Sequence, residues 1–169
     1  MTRVYVGVGS NIGREENIRN GVMALKRKFG ELTVSSVYES RAYGFEGDNF
    51  YNLVVYFDTD LPLEEIAGGL REIEYAFGRK RHERKFVSRT LDLDLLMYGD
   101  LIRHDAEFDL PRRDITRYAF TLWPLAEVAG EVRHPESGKS FTRLRQEFAE
   151  NDQKPWKTDF RWTADCNQG

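Results

Sequence analysis

A single cysteine, Cys166, stands among the 169 residues, so no intramolecular disulfide is available and a reducing setting is expected. Long apolar runs are missing too. Nothing approaches the roughly 20 residues of a membrane-crossing helix, and the opening "MTRVYVGVGSN" lacks the apolar core of a secretory leader. A cytoplasmic protein with no membrane partner is expected. There is no surplus of positive charge, with 25 Lys and Arg against 28 Asp and Glu, and no RNP1-type aromatic strand, which speaks against nucleic acid as the partner. Internal repeats and a Walker-type G-K-[ST] run are also absent. The stretch "GVGSNIG" (7–13) places Ile12 where a dinucleotide fingerprint requires its third glycine. Turn and cap chemistry is the simpler account of Gly9, Ser10 and Asn11.

The chain does carry clear periodicity. "RVYVGVG" alternates Val4, Val6 and Val8 as a strand, and Ile18, Val22, Leu25 and Phe29 follow at helical spacing until Gly30. "LTVSSVY" (32–38) and "FYNLVVYF" (50–57) read as two further strands. The dozen residues between them are too few for a crossover helix, so the two should pair antiparallel. Pro62 then opens a helix carrying Ile66, Leu70, Ile73 and Phe77, and a last strand follows in "TLDLDLLMY". The fold class is α+β: a ferredoxin-like βαββαβ core with an antiparallel sheet and helices packed on it. C-terminal additions comprise a helix over 120–130, a turn over 132–141 and a helix over 142–148. The expected organisation is one domain, 1–150, and a polar tail, 151–169, of weak order.

Two features point to chemistry. In "RTLDLDLLMYG" (89–99), Asp92 and Asp94 share one face of a strand while Leu91, Leu93 and Leu95 face the core. Adjacent carboxylates repel, and such a pair supplies the one or two ligands that Mg²⁺ takes beside substrate phosphates. The competing account leaves the acids in water on an edge strand or paired with Arg89. Just upstream, Arg79, Lys80, Arg81, Arg84, Lys85 and Arg89 crowd a loop with one acid, Glu83. Such a concentration of cations favours an anionic ligand, and together the two features make phosphoryl transfer the more economical account. His82, His104 and His134 have no ligand-like spacing, and Trp123 sits in an apolar run that reads as core.

The motifs "VGSN", "VSSVYES", "FYNLVV", "EIEYAFGR", "RTLDLDLLMYG" and "AFTLWPL" occur in this order between about Gly9 and Leu125. In these the chain resembles the 6-hydroxymethyl-7,8-dihydropterin pyrophosphokinase family of folate biosynthesis. The resemblance implies pyrophosphate transfer from ATP to a hydroxymethyl-dihydropterin, with release of AMP. By the same resemblance Asp92 and Asp94 would bind two Mg²⁺ ions, and Arg79 and Arg89 would stabilise the transferring group. Glu74, Arg81, Arg84, Leu95 and Arg112 would lie on the nucleotide side. The pterin would be read by Asn11, Ser40, Tyr43, Phe50, Asn52, Phe86 and Phe120. The nucleophile would be the substrate's own oxygen, and the chain would act as a monomer.

Three departures accompany this resemblance. "FVSR" (86–89) stands where the family commonly has W-G-P-R, "SRAYG" (40–44) lacks the usual prolines, and "LPRRD" (110–114) puts Arg112 at the position of a nucleotide-binding His. The alternative reading is therefore a pterin-binding paralogue with lost or altered transfer, and a nucleic-acid module stands behind both.

Overall fold

The computed structural model describes residues 1–42, 45–78, 90–149 and 154–163. The strand β1 (Thr2–Ser10) pairs antiparallel with β4 (Phe50–Thr59) on one side and with β5 (Asp92–Tyr98) on the other. Helix α1 (Arg14–Phe29) follows β1, and α2 (Leu63–Ala76) lies between β4 and β5. Both helices cover one face of the sheet, where Ile18, Leu25, Ile66, Leu70 and Ile73 meet Val4, Val6, Val8, Leu53, Val55 and Leu93. The apolar residues chosen from periodicity are those that build this core.

The segment read as one strand over 32–38 is two: β2 (Thr33–Val34) and β3 (Tyr38–Ser40), both antiparallel to β4. The break falls at Ser35 and Ser36, where side-chain oxygens take the place of ladder acceptors. Ser35 Oγ accepts from Val54 N–H at 2.9 Å, and Glu127 accepts from Ser36 N–H at 2.9 Å and from the Tyr38 hydroxyl at 2.7 Å. A polar kink is thus tied to the helix that covers the other face.

That other face carries α3 (Asp114–Arg117), α4 (Ala119–Ala129) and α5 (Phe141–Glu147). Ile115, Leu122, Leu125 and Phe141 close over Tyr5, Tyr38, Val54, Leu96 and Met97. The sheet is therefore a middle layer between helices, with Trp123 in the second core as expected. A short hairpin, β6 (Arg103–His104) with β7 (Asp109–Leu110), leads from β5 to α3. Among the described residues no helix is long and apolar enough to cross a membrane.

Within the tail, the described residues 154–163 differ from the expectation of weak order. Strand β8 (Trp156–Lys157) pairs with β3, so the main sheet runs β5-β1-β4-β3-β8. Thr158 N–H donates to the Val37 carbonyl at 3.0 Å, and Phe160 packs edge-on to Tyr51. Average polarity hid this, because the strap is held by backbone pairing and two aromatic rings rather than by an apolar run.

Helix α1 rests directly on the chain entering β5. A methyl group at Gly21 would come within 2.8 Å of Leu91 Cδ1, and Leu91 is buried. For Gly21→Ala, the intrinsic helix preference gains about 1 kcal/mol, whereas overpacking a filled core costs about 1–3 kcal/mol. The expected outcome is a net loss near 1 kcal/mol in urea unfolding; a gain would show that Leu91 can yield.

Candidate active site

The carboxylates of β5 belong to the second face. Asp92 pairs with Gly9, and Asp94 with Gly7, while Leu93 points to the first core. A register shift at Tyr5/Val6 leaves Leu96 as an extra residue, so that Leu96 and Met97 both enter the second core. This bulge keeps the two acids on one side without forcing the rest of the strand to alternate. Glu74 Oε2 accepts from Leu93 N–H at 2.8 Å and so fixes the backbone midway between Asp92 and Asp94. Leu95, grouped with the nucleotide residues by resemblance, is partly buried against the first core.

Asp94 is crowded by like charge. Burial and the neighbouring Asp92 push its carboxyl well above the usual aspartate range, and Arg112 opposes them. Arg112 reaches the pair from the segment after β7, where its N–H donates to the Leu96 carbonyl at 2.9 Å. Its guanidinium lies 3.4 Å from Asp94 Oδ1 and 3.0 Å from Asp114 Oδ2. These attractions raise the Arg112 pKa further, so it is a fixed cation beside the acids.

The pair suits a hard divalent cation. The two carboxylates are held rigidly on a strand, and Asp94 keeps 31% of its side-chain surface open. Among the described residues no third His, Cys, Asp or Glu completes a metal cluster. A site with so few protein ligands is of the kind that leaves positions for water or substrate oxygens.

Next to Asp92 the neighbouring strand carries a glycine. One cross-strand row runs Asp92, Gly9, Asn52, Tyr38. Gly9 contributes no side chain of its own to this row, and the Asp92 and Asn52 backbones are two strand spacings apart, about 10 Å. A methyl at Gly9 would lie 3.0 Å from Asn52 Oδ1, so the amide oxygen overhangs this floor. The Asn52 amide nitrogen donates to Ser40 Oγ at 2.8 Å, which fixes which end of the amide is presented. Phe50 pairs with Ser40 one step along, on the same face, with Phe45 edge-on to it. Phe120 opens α4, which packs on β3 and β4, and its ring stacks on Tyr118 at 5.1 Å.

Of the residues singled out from the sequence, the structure brings Asp92, Asp94, Ser40, Phe50 and Asn52 to one face, with Arg112 beside Asp94. Turn and cap chemistry was expected of Gly9, Ser10 and Asn11, but Gly9 and Ser10 close β1, and the place of Gly9 between Asp92 and Asn52 went unread although a glycine inside a strand pattern signals a close approach. Asn11 is buried at the end of β1 and donates to the Asp48 carbonyl at 3.0 Å. Arg79, Arg81, Arg84, Phe86 and Arg89 lie outside the described residues, as does Tyr43.

Residues 5–130 match the family 7,8-dihydro-6-hydroxymethylpterin-pyrophosphokinase (HPPK). The chain belongs to this family. It is 33% identical over 158 residues to the 2-amino-4-hydroxy-6-hydroxymethyldihydropteridine pyrophosphokinase of Aquifex aeolicus, covering 92% of this chain and 96% of that one. The enzyme of the same name from Synechocystis is 37% identical over 142 residues, 82% of this chain and 72% of its own. Among solved structures, wild-type HPPK-DHPS of Plasmodium falciparum with SDX-DHP superposes with a TM-score of 0.66 at 13% identity, over 88% of this chain. The chain spans 44% of that protein, and the likeness speaks for the fold.

One consequence of the crowded acids is measurable without substrate. An acid whose pKa is raised in the folded state holds its proton more firmly folded than unfolded. Its stabilising effect is therefore present in acid and is lost as pH rises from the ordinary aspartate range through the raised value. In metal-free buffer, Asp94→Asn is expected to melt higher than the parent chain at pH 8, by about 2–4 °C for each kcal/mol relieved. The gap should close below pH 4, as read by calorimetry across pH; a variant less stable at pH 8 would contradict the repulsion.

Proposed function

We propose that this chain transfers pyrophosphate from ATP to the hydroxymethyl group of 6-hydroxymethyl-7,8-dihydropterin. Membership of the pyrophosphokinase family supports the reaction, and the row Asp92, Gly9, Asn52 is the observation that carries its geometry. Asp92 and Asp94 would hold Mg²⁺ with the ATP phosphates at one end of this row. Mg²⁺ supplies charge neutralisation and a template for the triphosphate. Asn52, fixed by Ser40, would read the polar edge of the pterin at the other end, with Phe50 and Phe120 supplying apolar contact. The floor of about two strand spacings fits a reaction in which a flat heterocycle and a polyphosphate must meet end to end.

Under this reading the substrate's hydroxymethyl oxygen attacks the β-phosphorus, the bond to the α-phosphate oxygen breaks, and AMP leaves. No protein nucleophile takes part. Arg112 and Glu74 are assigned to the nucleotide side, where Arg112 offers its cation and Glu74 holds β5 in place. Arg79 and Arg89, from the basic stretch before β5, are assigned to the transferring phosphates, with Arg81 and Arg84 nearby. The core is read as ferredoxin-like, and the chain as acting alone in the cytoplasm.

AMP release with ATP, Mg²⁺ and the hydroxymethyl-dihydropterin tests the proposal. Steady turnover is expected; pterin binding without turnover would favour the paralogue suggested by Arg112 and "FVSR". Asp92→Ala and Asp94→Ala are expected to lower kcat by about a thousandfold or more, since metal charge stabilisation is worth several kcal/mol, while pterin binding survives. Gly9→Ala should do the converse, weakening pterin affinity about tenfold through a crowded floor and sparing ATP affinity.

A further inference from the structure

Glu39 is the middle residue of β3, and alternation turns it away from Tyr38 and Ser40, toward the α1 side of the sheet. Its carboxylate accepts from Arg14 Nη1 at 2.9 Å and from Asn49 Nδ2 at 3.1 Å. Trp156 of β8 stands opposite Glu39 in register. Burial disfavours the ionised form, but these hydrogen bonds prevail and hold the carboxyl below the usual glutamate range. Arg14 makes two further contacts: it donates to the Asn49 carbonyl at 3.2 Å, and its guanidinium lies 3.9 Å over the Tyr51 ring. Asn11 holds the Asp48 carbonyl at 3.0 Å from the other side.

Three parts of the chain thus meet at Glu39: the start of α1 and the return segment 45–49 at its carboxylate, and the C-terminal strap through the β3–β8 pairing. The segment 45–49 has no ladder or helix of its own and leads straight into Phe50 and Asn52. Its bonds to Glu39, Arg14 and Asn11 surround an open, polar cavity of about 550 Å³. A partly buried ion pair of this kind adds little net stability, because desolvation offsets attraction. What it does fix is geometry: where the segment returns, and therefore where β4 starts.

We propose that Glu39 is a positioning residue for the pterin end of the site, anchoring the return segment through Arg14 and Asn49 and linking it to the C-terminal strap through Trp156. The inference rests on the pterin reading above. It predicts a selective defect. Loss of the anchor frees the side of the site that holds Phe50 and Asn52, and leaves the Asp92 and Asp94 side on β5 intact.

Glu39→Ala, Glu39→Gln and Trp156→Ala are compared with the parent chain in steady-state kinetics with each substrate varied, in calorimetric pterin binding, and in hydrogen exchange of peptides covering 45–50. For Glu39→Ala the pterin KM and Kd are expected to rise about tenfold, the scale of losing a hydrogen-bonded charge. The KM for ATP should change less than twofold, and exchange over 45–50 should quicken. Glu39→Gln, which keeps an acceptor, should recover part of the loss, and Trp156→Ala should show a smaller effect in the same direction. Parallel changes in both KM values, or unchanged pterin affinity, would overturn the inference. A parent chain that binds no pterin would instead overturn the functional reading on which it rests.

Discussion

Two negative side chains on one face of a sheet-edge strand are the constraint around which this molecule is arranged. Asp92 and Asp94 repel each other, and nothing in β5 itself relieves them. The surroundings supply partial answers: Arg112 lies against Asp94, Asp114 steadies Arg112, and Glu74 pins the intervening Leu93 N–H. These contacts keep the pair in place without cancelling it. Asp94 still resists ionisation, so the site retains an electrostatic demand that a divalent cation would satisfy.

A second economy lies in β1. Its two faces have opposite duties. Val4, Val6 and Val8 fill the first core, whereas on the opposite face Gly7 makes room for the Leu96 side chain and Gly9 for the Asn52 amide, next to the acids. The strand can be both the centre of the sheet and the floor of a site because side chains alternate with period two. Asn52 then overhangs Gly9 from β4 with its amide fixed by Ser40, so the amide and the acid pair sit on the two strands that flank β1 in one rigid sheet.

The elements peripheral to this sheet contribute by restraint. Glu127 secures the Ser35–Ser36 kink from α4, and Glu39 gathers the start of α1, the segment 45–49 and β8. In both places a carboxylate on a regular element holds an irregular backbone, which is how a fold gives fixed geometry to segments that have no ladder of their own.

Much of this was legible in the sequence for a simple reason: period-two and period-3.6 patterns report which face of an element meets the core. That logic found β1, α1, β4, α2 and β5, and it placed Asp92 and Asp94 on a common face from their spacing alone. It could not see the division of 32–38 into β2 and β3, which depends on Ser35 and Ser36 finding partners on β4 and α4. It also could not find β8 in a polar tail, because edge pairing draws on backbone groups that every residue has. That Gly9 separates Asp92 from Asn52, and that Arg112 reaches Asp94, was decided only by tertiary structure. Cross-strand register and the path of a loop are set by the whole packed sheet, and neither leaves a local mark on the residues that come to face each other.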